Sequence, residues 1–444
     1  MNLGDIVKSA YRTPKLLAYT REVSKRLTWP PERLVEYETR RLLETVRFCY
    51  ESVPFYRRLW NERGIAMNQI QCADDLRILP YTTKQDLQRH AAEFVPEGLP
   101  KRQLQEAHTS GSTGAMATFY TTLDDRFRER AFFLRYWQAH GVSWWRDRNV
   151  FFRGHMNIPK RDIYWEPVRA YQFSAYDLSR ERLRRYAEFL ATQRIVFMIA
   201  YPSLAERLAS VVKEDESLRR RIALKRIFSA SETIFTKQRE LIEEVFGCPV
   251  RAHYGQNECV ALFQECPVGD GYHVMTDYGY VEWGPSLPGS DVREIIGTSL
   301  NKQCTPLIRY RTGDHALLRQ EKNCSCGWSF PKVVEDIVGR SGDLIVTPSG
   351  RYITPIHLEY AFDHVVPHFE ECQIRQDAPN HLTILAVPQD GYSNEEGQAF
   401  VDAVLQRVGE PIEIALKLVS SIDRPANQKH RIVISTIGAQ LDSS

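Results

Sequence analysis

The stretch HTSGSTGAMATFYTT, His108 to Thr122, sets two glycines and a run of hydroxyl side chains between a polar and an aromatic segment. Bare backbone amides and hydroxyls grouped in this way can donate several hydrogen bonds to one phosphate. The stretch is not a Walker loop, because Ala115 follows Gly114 where that motif requires a lysine. It is not a nucleophile elbow either, since Ser110 stands where the first glycine belongs. What remains is a Thr/Ser/Gly loop suited to an anion, although a plain polar loop has the same composition. A second cluster is CSCG, with Cys324 and Cys326, preceded about fifty residues earlier by ECPVGDGYH, with Cys266 and His273. Three thiols and an imidazole are a common set for structural zinc, and four protein ligands leave no position for catalysis. The Cys-x-Cys spacing is tighter than usual, Cys259 offers a substitute ligand, and buried thiols packed as small hydrophobes are the alternative.

The elements that must position these groups follow from periodicity. The first hundred residues read as helical, with Leu34, Tyr37, Leu42, Val46 and Cys49 on one stripe, broken at SVPFY by Pro54. From about Asn149 short apolar strands alternate with amphipathic helices: NVFFRG, RERLRRYAEFLATQ, IVFMIA, a helix after Ser203, LKRIFS, FTKQRELIEEVFG and PVRAHY. This alternation predicts a parallel sheet with crossover helices. Ligands of such sheets bind beyond the carboxyl ends of the strands. Three of those ends carry small or polar residues, YPS (Tyr201–Ser203), SASE (Ser229–Glu232) and YGQNE (Tyr254–Glu258), and parallel strands would bring them to one rim. A β-rich stretch follows over about 260–335. Beyond VGRSGD the strands HLTILAV and IEIALKLV flank the helical EEGQAFVDAVLQRVG. We therefore expect an α/β protein with a large N-terminal domain over 1–338 and a small α+β domain over 339–444.

At 444 residues, 43% hydrophobic and 26% charged, the chain can bury more than one core. A net charge of +2 gives no bias toward nucleic acid, and the basic clusters at Arg180–Arg185 and Arg219–Arg226 suit solvated helix faces. The N-terminal MNLGDIVKSAYRTPKLLAYT has no apolar core of signal-peptide length, and nowhere do about 18 apolar residues run together. Nine scattered cysteines fit a reducing compartment. A cytoplasmic protein with no membrane and no nucleic-acid partner is the expectation, and a homodimer is compatible with it.

TSGSTG, SASE, YGQNE, RYRTGD, GRSGD and NQKHR occur in that order. In this the chain resembles the adenylate-forming superfamily of acyl-CoA synthetases, adenylation domains and luciferases. Within it the phenylacetate-CoA ligase-like and CapK-type branch is most similar, through VRFCYESVPFYRRLWNERGI, LRILPYTTKQDL and TSLNKQCTPLIRYRTGD. The similarity runs from about Leu34 to Ile434.

The resemblance implies an ATP-dependent ligase that makes an acyl-adenylate from an aryl or short acyl acid and passes the acyl group to a thiol, coenzyme A first among the candidates. An amine, alcohol or sugar acceptor, or a nucleotide-binding homologue impaired in catalysis, are the alternatives. It implies that Thr109, Ser110, Gly111, Ser112, Thr113 and Gly114 wrap the triphosphate. Ser231, Glu232, Tyr254 and Gly255 would form the adenine pocket, Asp314 would accept from the ribose with Arg340 nearby, and Glu258 would hold magnesium. Lys429, on a mobile C-terminal lid domain, would reach the α-phosphate and the attacking carboxylate. It also implies a zinc staple at Cys266, His273, Cys324 and Cys326. The chain departs from the pattern at Ala115, at Gln428 before the lysine, and at Gly342 two residues after Arg340. The resemblance implies that the positive charge missing from the loop is supplied by magnesium on Glu258 and by Lys429.

Overall fold

The computed structural model describes residues 3–109, 117–153, 163–165, 170–175, 178–287, 290–320, 324–358, 361, 368–423 and 430–438. The N-terminal part is helical, with α1 (Leu3–Ser24), α2 (Pro31–Ser52), α3 (Pro54–Glu62) and α4 (Lys84–His90). Pro54 opens α3, where the amide it lacks would have had no partner in any case. A hairpin of β1 (Gln105–His108) and β2 (Thr118–Thr121) brackets the hydroxyl-rich loop. Thr122 and Asp125 then form a reciprocal cap that starts α5 (Leu123–Ala139).

The centre of the molecule is a 12-stranded sheet. Its first half is β3 (Asn149–Arg153), β4 (Ile163–Trp165), β5 (Ala170–Ser174), β6 (Phe197–Ala200), β7 (Arg226–Ala230) and β8 (Val250–Gly255). In this half β5, β3, β6, β7 and β8 run parallel in that spatial order, and β4 pairs antiparallel at the edge. The helices α6 (Arg180–Thr192), α7 (Pro202–Lys213), α8 (Glu216–Arg221) and α9 (Thr236–Phe246) make the crossovers. Ser179 caps α6 and Gly247, at φ 63°, closes α9 in the left-handed region that glycine tolerates. Leu183, Tyr186, Leu190, Leu204, Leu208 and Ile242 are buried against Val150, Met198 and Ile227 of the strands.

The β-rich stretch is not a separate sheet. It continues the same one through β9 (Leu262–Glu265), β10 (Tyr272–Val274), β11 (Gly279–Ser286), β12 (Val292–Ser299), β13 (Tyr310–Leu318) and β14 (Val334–Arg340). β8 pairs antiparallel with β9, and every further pairing in this half is antiparallel. The turn that joins β8 to β9 is therefore where the sheet changes from parallel to antiparallel, and it carries Glu258.

After β14 and a small hairpin of β15 (Ile345–Val346) and β16 (Tyr352–Ile353), a 4-stranded sheet follows. It comprises β17 (Phe369–Ala378), β18 (His381–Pro388), β19 (Glu413–Leu418) and β20 (Val433–Ser435) in the order β19-β18-β17-β20. The helix α10 (Asn394–Val408), capped by Ser393 and closed by Gly409, buries Phe400, Val404 and Val408 against Ile374, Leu382 and Ile384. Arg207 of α7 reaches this unit and pairs with Glu371 at 3.1 Å and Glu370 at 3.2 Å. Among the described residues no helix is long and apolar enough to cross a membrane.

Candidate active site

The ends of β6, β7 and β8 converge as the alternation of strands and helices requires. Ser203, Ser231, Glu232, Tyr254 and Gly255 line one cleft of about 250 Å³, together with Asp314 and Arg340 from the antiparallel half. His430 and Arg431 of the C-terminal unit close it on the far side.

Asp314 is the hub of the polar wall. The Tyr254 hydroxyl donates to its Oδ2 at 2.8 Å and Arg340 Nε donates to its Oδ1 at 3.1 Å. Register explains the second bond, because Asp314 of β13 stands opposite Arg340 of β14. Gly313, at φ 69°, and the Thr312 hydroxyl, which accepts from the Asp314 amide at 3.0 Å, shape the turn that presents the carboxylate. Burial alone would lower the Arg340 guanidinium, but Asp314, Glu258 and Asp343 outweigh it and hold the group above its ordinary value. Burial, reinforced by Asp314, likewise raises the Tyr254 phenol, so it stays a hydrogen-bond donor.

On the opposite wall Glu232 ties three segments together. Its Oε2 accepts from the Ser203 amide at 3.1 Å and its Oε1 from the His430 amide at 2.8 Å. Ser231 beside it has φ 76°, a backbone state that few residues other than glycine adopt and that often marks a functional turn. Asp343 makes the third junction: Oδ2 accepts from the Arg340 amide at 2.8 Å and Oδ1 from Arg431 Nε at 2.7 Å.

Glu258 is buried behind this wall, and the Tyr310 hydroxyl donates to its Oε1 at 3.3 Å. Burial pushes its carboxyl above the usual carboxylate range. Thr109 is also buried. Its amide donates to the Ala117 carbonyl at 2.9 Å and its hydroxyl accepts from the Ala117 amide at 3.0 Å, so it staples the base of the loop. Ser110, Gly111, Ser112, Thr113 and Gly114, and Lys429 at the other end of the chain, lie outside the described residues.

The second cluster is compact. The ligand atoms of Cys266, His273, Cys324 and Cys326 all lie within 4.8 Å of one another. Cys266 Sγ is 3.5 Å from Cys324 Sγ, and Cys326 Sγ is 3.5 Å from His273 Nε2. His273 Nδ1 lies 2.7 Å from the Phe330 carbonyl, which accepts only if that nitrogen carries the proton. The lone pair of Nε2 is then directed at the thiols, the tautomer a metal needs. Cys259 does not join this group: it sits in the turn before β9 at φ 59°, and its Sγ donates to the Asn257 carbonyl at 3.3 Å.

Several contacts had no signature in the sequence. The Glu232–His430 bond links residues 198 apart and the Tyr254–Asp314 bond residues 60 apart, so only the folded register brings them together. Phe151 of β3 packs edge-on to Trp137 and Trp144, and Val260, Ala261, Leu262 and Phe263 belong to the core.

Comparison with known proteins agrees with this fold. The large sheet and the smaller C-terminal unit have the fold of solved adenylate-forming CoA ligases. 2-Hydroxyisobutyryl-CoA ligase, in its postadenylation state with R3-HIB-AMP, superposes with a TM-score of 0.73 at 22% identity, over 95% of this chain and 94% of that one. In sequence the chain resembles CapK and the phenylacetate-CoA ligases. Residues 345–436 match the CapK C-terminal domain family. The chain is 25% identical to Protein CapK of Staphylococcus aureus over 91% of its own length and 90% of that protein. It is 26% identical to phenylacetate-coenzyme A ligase of Thermus thermophilus, over 84% of this chain and 85% of that one.

Proposed function

We propose that this protein is an ATP-dependent acid ligase that forms an acyl- or aryl-adenylate with release of pyrophosphate and then transfers the acyl group to coenzyme A. The observation that carries this reading is the Tyr254–Asp314–Arg340 wall at the strand ends, facing a C-terminal segment whose next residue toward the N-terminus is Lys429. Attack of a carboxylate on ATP brings anions together, so catalysis is mainly positioning and positive charge.

In this reading the ribose hydroxyls donate to Asp314, and Ser231, Glu232, Tyr254 and Gly255 hold the adenine. Thr109 and the loop Ser110–Gly114 shape the triphosphate. Lys429 supplies the mobile charge, from a unit whose boundary we place at Gly339–Arg340. Glu258 suits magnesium, since a hard oxygen ligand whose ionisation is opposed by burial gains from a dication beside it. Magnesium, when bound, supplies charge neutralisation to the phosphates. The Cys266, His273, Cys324 and Cys326 set suits a structural zinc by donor type and by the His273 tautomer.

ATP–pyrophosphate exchange over a panel of aryl and short acyl acids tests the first half-reaction. Exchange with at least one acid is expected, and a folded, metal-replete protein that exchanges with none would overturn the reading. Mass spectrometry of the product decides the acceptor, because a CoA thioester is expected and an amide, ester or AMP adduct would replace coenzyme A with another group. In the Lys429→Ala variant exchange should be lost while ATP still binds.

A further inference from the structure

The hydroxyl-rich loop has no lysine of its own, yet a buried cation stands beside its root. Lys302 is only 6% exposed. Its Nζ lies 4.0 Å from the centre of the Phe119 ring on β2 and donates to the Glu258 carbonyl at 3.5 Å. The residues that follow it grip the same hairpin and the start of α5. Asp125 Oδ1 accepts from the Gln303 amide at 2.8 Å and Oδ2 from the Cys304 amide at 3.3 Å. The Tyr120 amide donates to the Thr305 hydroxyl at 3.2 Å. From the other side, Asn257 Nδ2 donates to the His108 carbonyl at 3.0 Å. Residues 302–305 therefore bridge two pieces of the site, the hairpin that ends in the loop and the turn that carries Glu258.

A leucine at 302 could cover Phe119 without the cost of burying an ammonium, so the charge needs an electrostatic return. That return is visible in its surroundings: the π face of Phe119 and the main-chain carbonyl of Glu258. Resting on the adenylation reading, we propose that Lys302 is a positioning residue for the nucleotide. It holds Phe119 of the β1–β2 hairpin against the turn that carries Glu258, and so keeps these two sides of the proposed nucleotide site in register. Lys302 does not line the cleft and acts through the two segments it joins.

The test compares Lys302→Met, which keeps the apolar stem without the charge, with Lys302→Arg, which keeps the charge. In calorimetry with ATP and no acid, the methionine variant should bind about tenfold more weakly, the size expected for one charge-assisted hydrogen bond. Its KM for ATP should rise in step while its KM for the acid stays put, and the arginine variant should recover most of the loss. A folded methionine variant with unchanged ATP affinity overturns the proposal, as does one in which both KM values rise together. Should that variant fail to fold, Asn257→Ala cuts the second tie between the loop root and the same turn. It should show the same selective loss for ATP, and unchanged affinity overturns the proposal there too. Absence of exchange in the wild type would count against the ligase reading alone, since the calorimetric comparison still reads Lys302.

Discussion

Asp314 receives two directed bonds, from Tyr254 and Arg340, and keeps lone pairs on both oxygens for a ligand. Replacing it by asparagine preserves the shape and removes the charge. Each charge-assisted bond is worth about 1.5–3 kcal/mol, so Asp314→Asn should weaken ATP about ten- to a hundredfold by calorimetry with little change in melting temperature. Glu38 makes stability depend on pH. Burial, helped by Asp277, pushes the Glu38 carboxyl up from 4.5 to about 8. The folded chain then holds a proton that the unfolded chain gives up at lower pH. Stability from this group is full below the unfolded value and is lost as pH rises from about 4.5 toward 8. Melting curves at pH 5.5 and 8.5 should show this decline in the wild type and a smaller one in Glu38→Gln. An equal slope in both would assign the decline elsewhere.

Among the elements, α5 is bound to the sheet by a fully buried ion pair. Arg135 donates to both oxygens of Asp277, at 2.6 and 3.2 Å, and to the Val23 carbonyl of α1 at 3.2 Å. Removing one partner strands the other charge, so Asp277→Ala should cost about 3–5 kcal/mol in denaturant unfolding, whereas an exposed pair such as Arg58–Glu93 should cost under about 1 kcal/mol. At this scale the sequence was readable where the determinants are local. Pro54 marks the break between α2 and α3, Gly247 ends α9, and the SASE and YGQNE ends sit at strand tips because short apolar runs must terminate in turns. Cys259 shows the limit. By residue type it offered a substitute zinc ligand, but its thiol donates to the Asn257 carbonyl and lies outside the cluster. Lys302 was equally silent, since nothing in LNKQC marks a lysine that folding will bury.

Over the whole molecule, the alternation of strands and helices announced the parallel half of the sheet. Its continuation into the antiparallel half could not be read, because pairings such as β10 with β14 depend on register between distant strands. That continuation joins the two chemical clusters. Cys324 and Cys326 precede β14, whose first residue Val334 pairs with Tyr272 and whose last residue Arg340 grips Asp314. On the proposed zinc reading of the cysteine–histidine cluster, a chelator should act on the nucleotide as well as on stability: the stripped protein should melt at a lower temperature and bind ATP more weakly, and one zinc per chain should restore both. Loss of zinc with ATP affinity intact would confine the metal to its own corner. Where the stripped protein does lose ATP affinity, as that reading expects, a cell short of zinc would feel the shortage first as a shortage of activated acid.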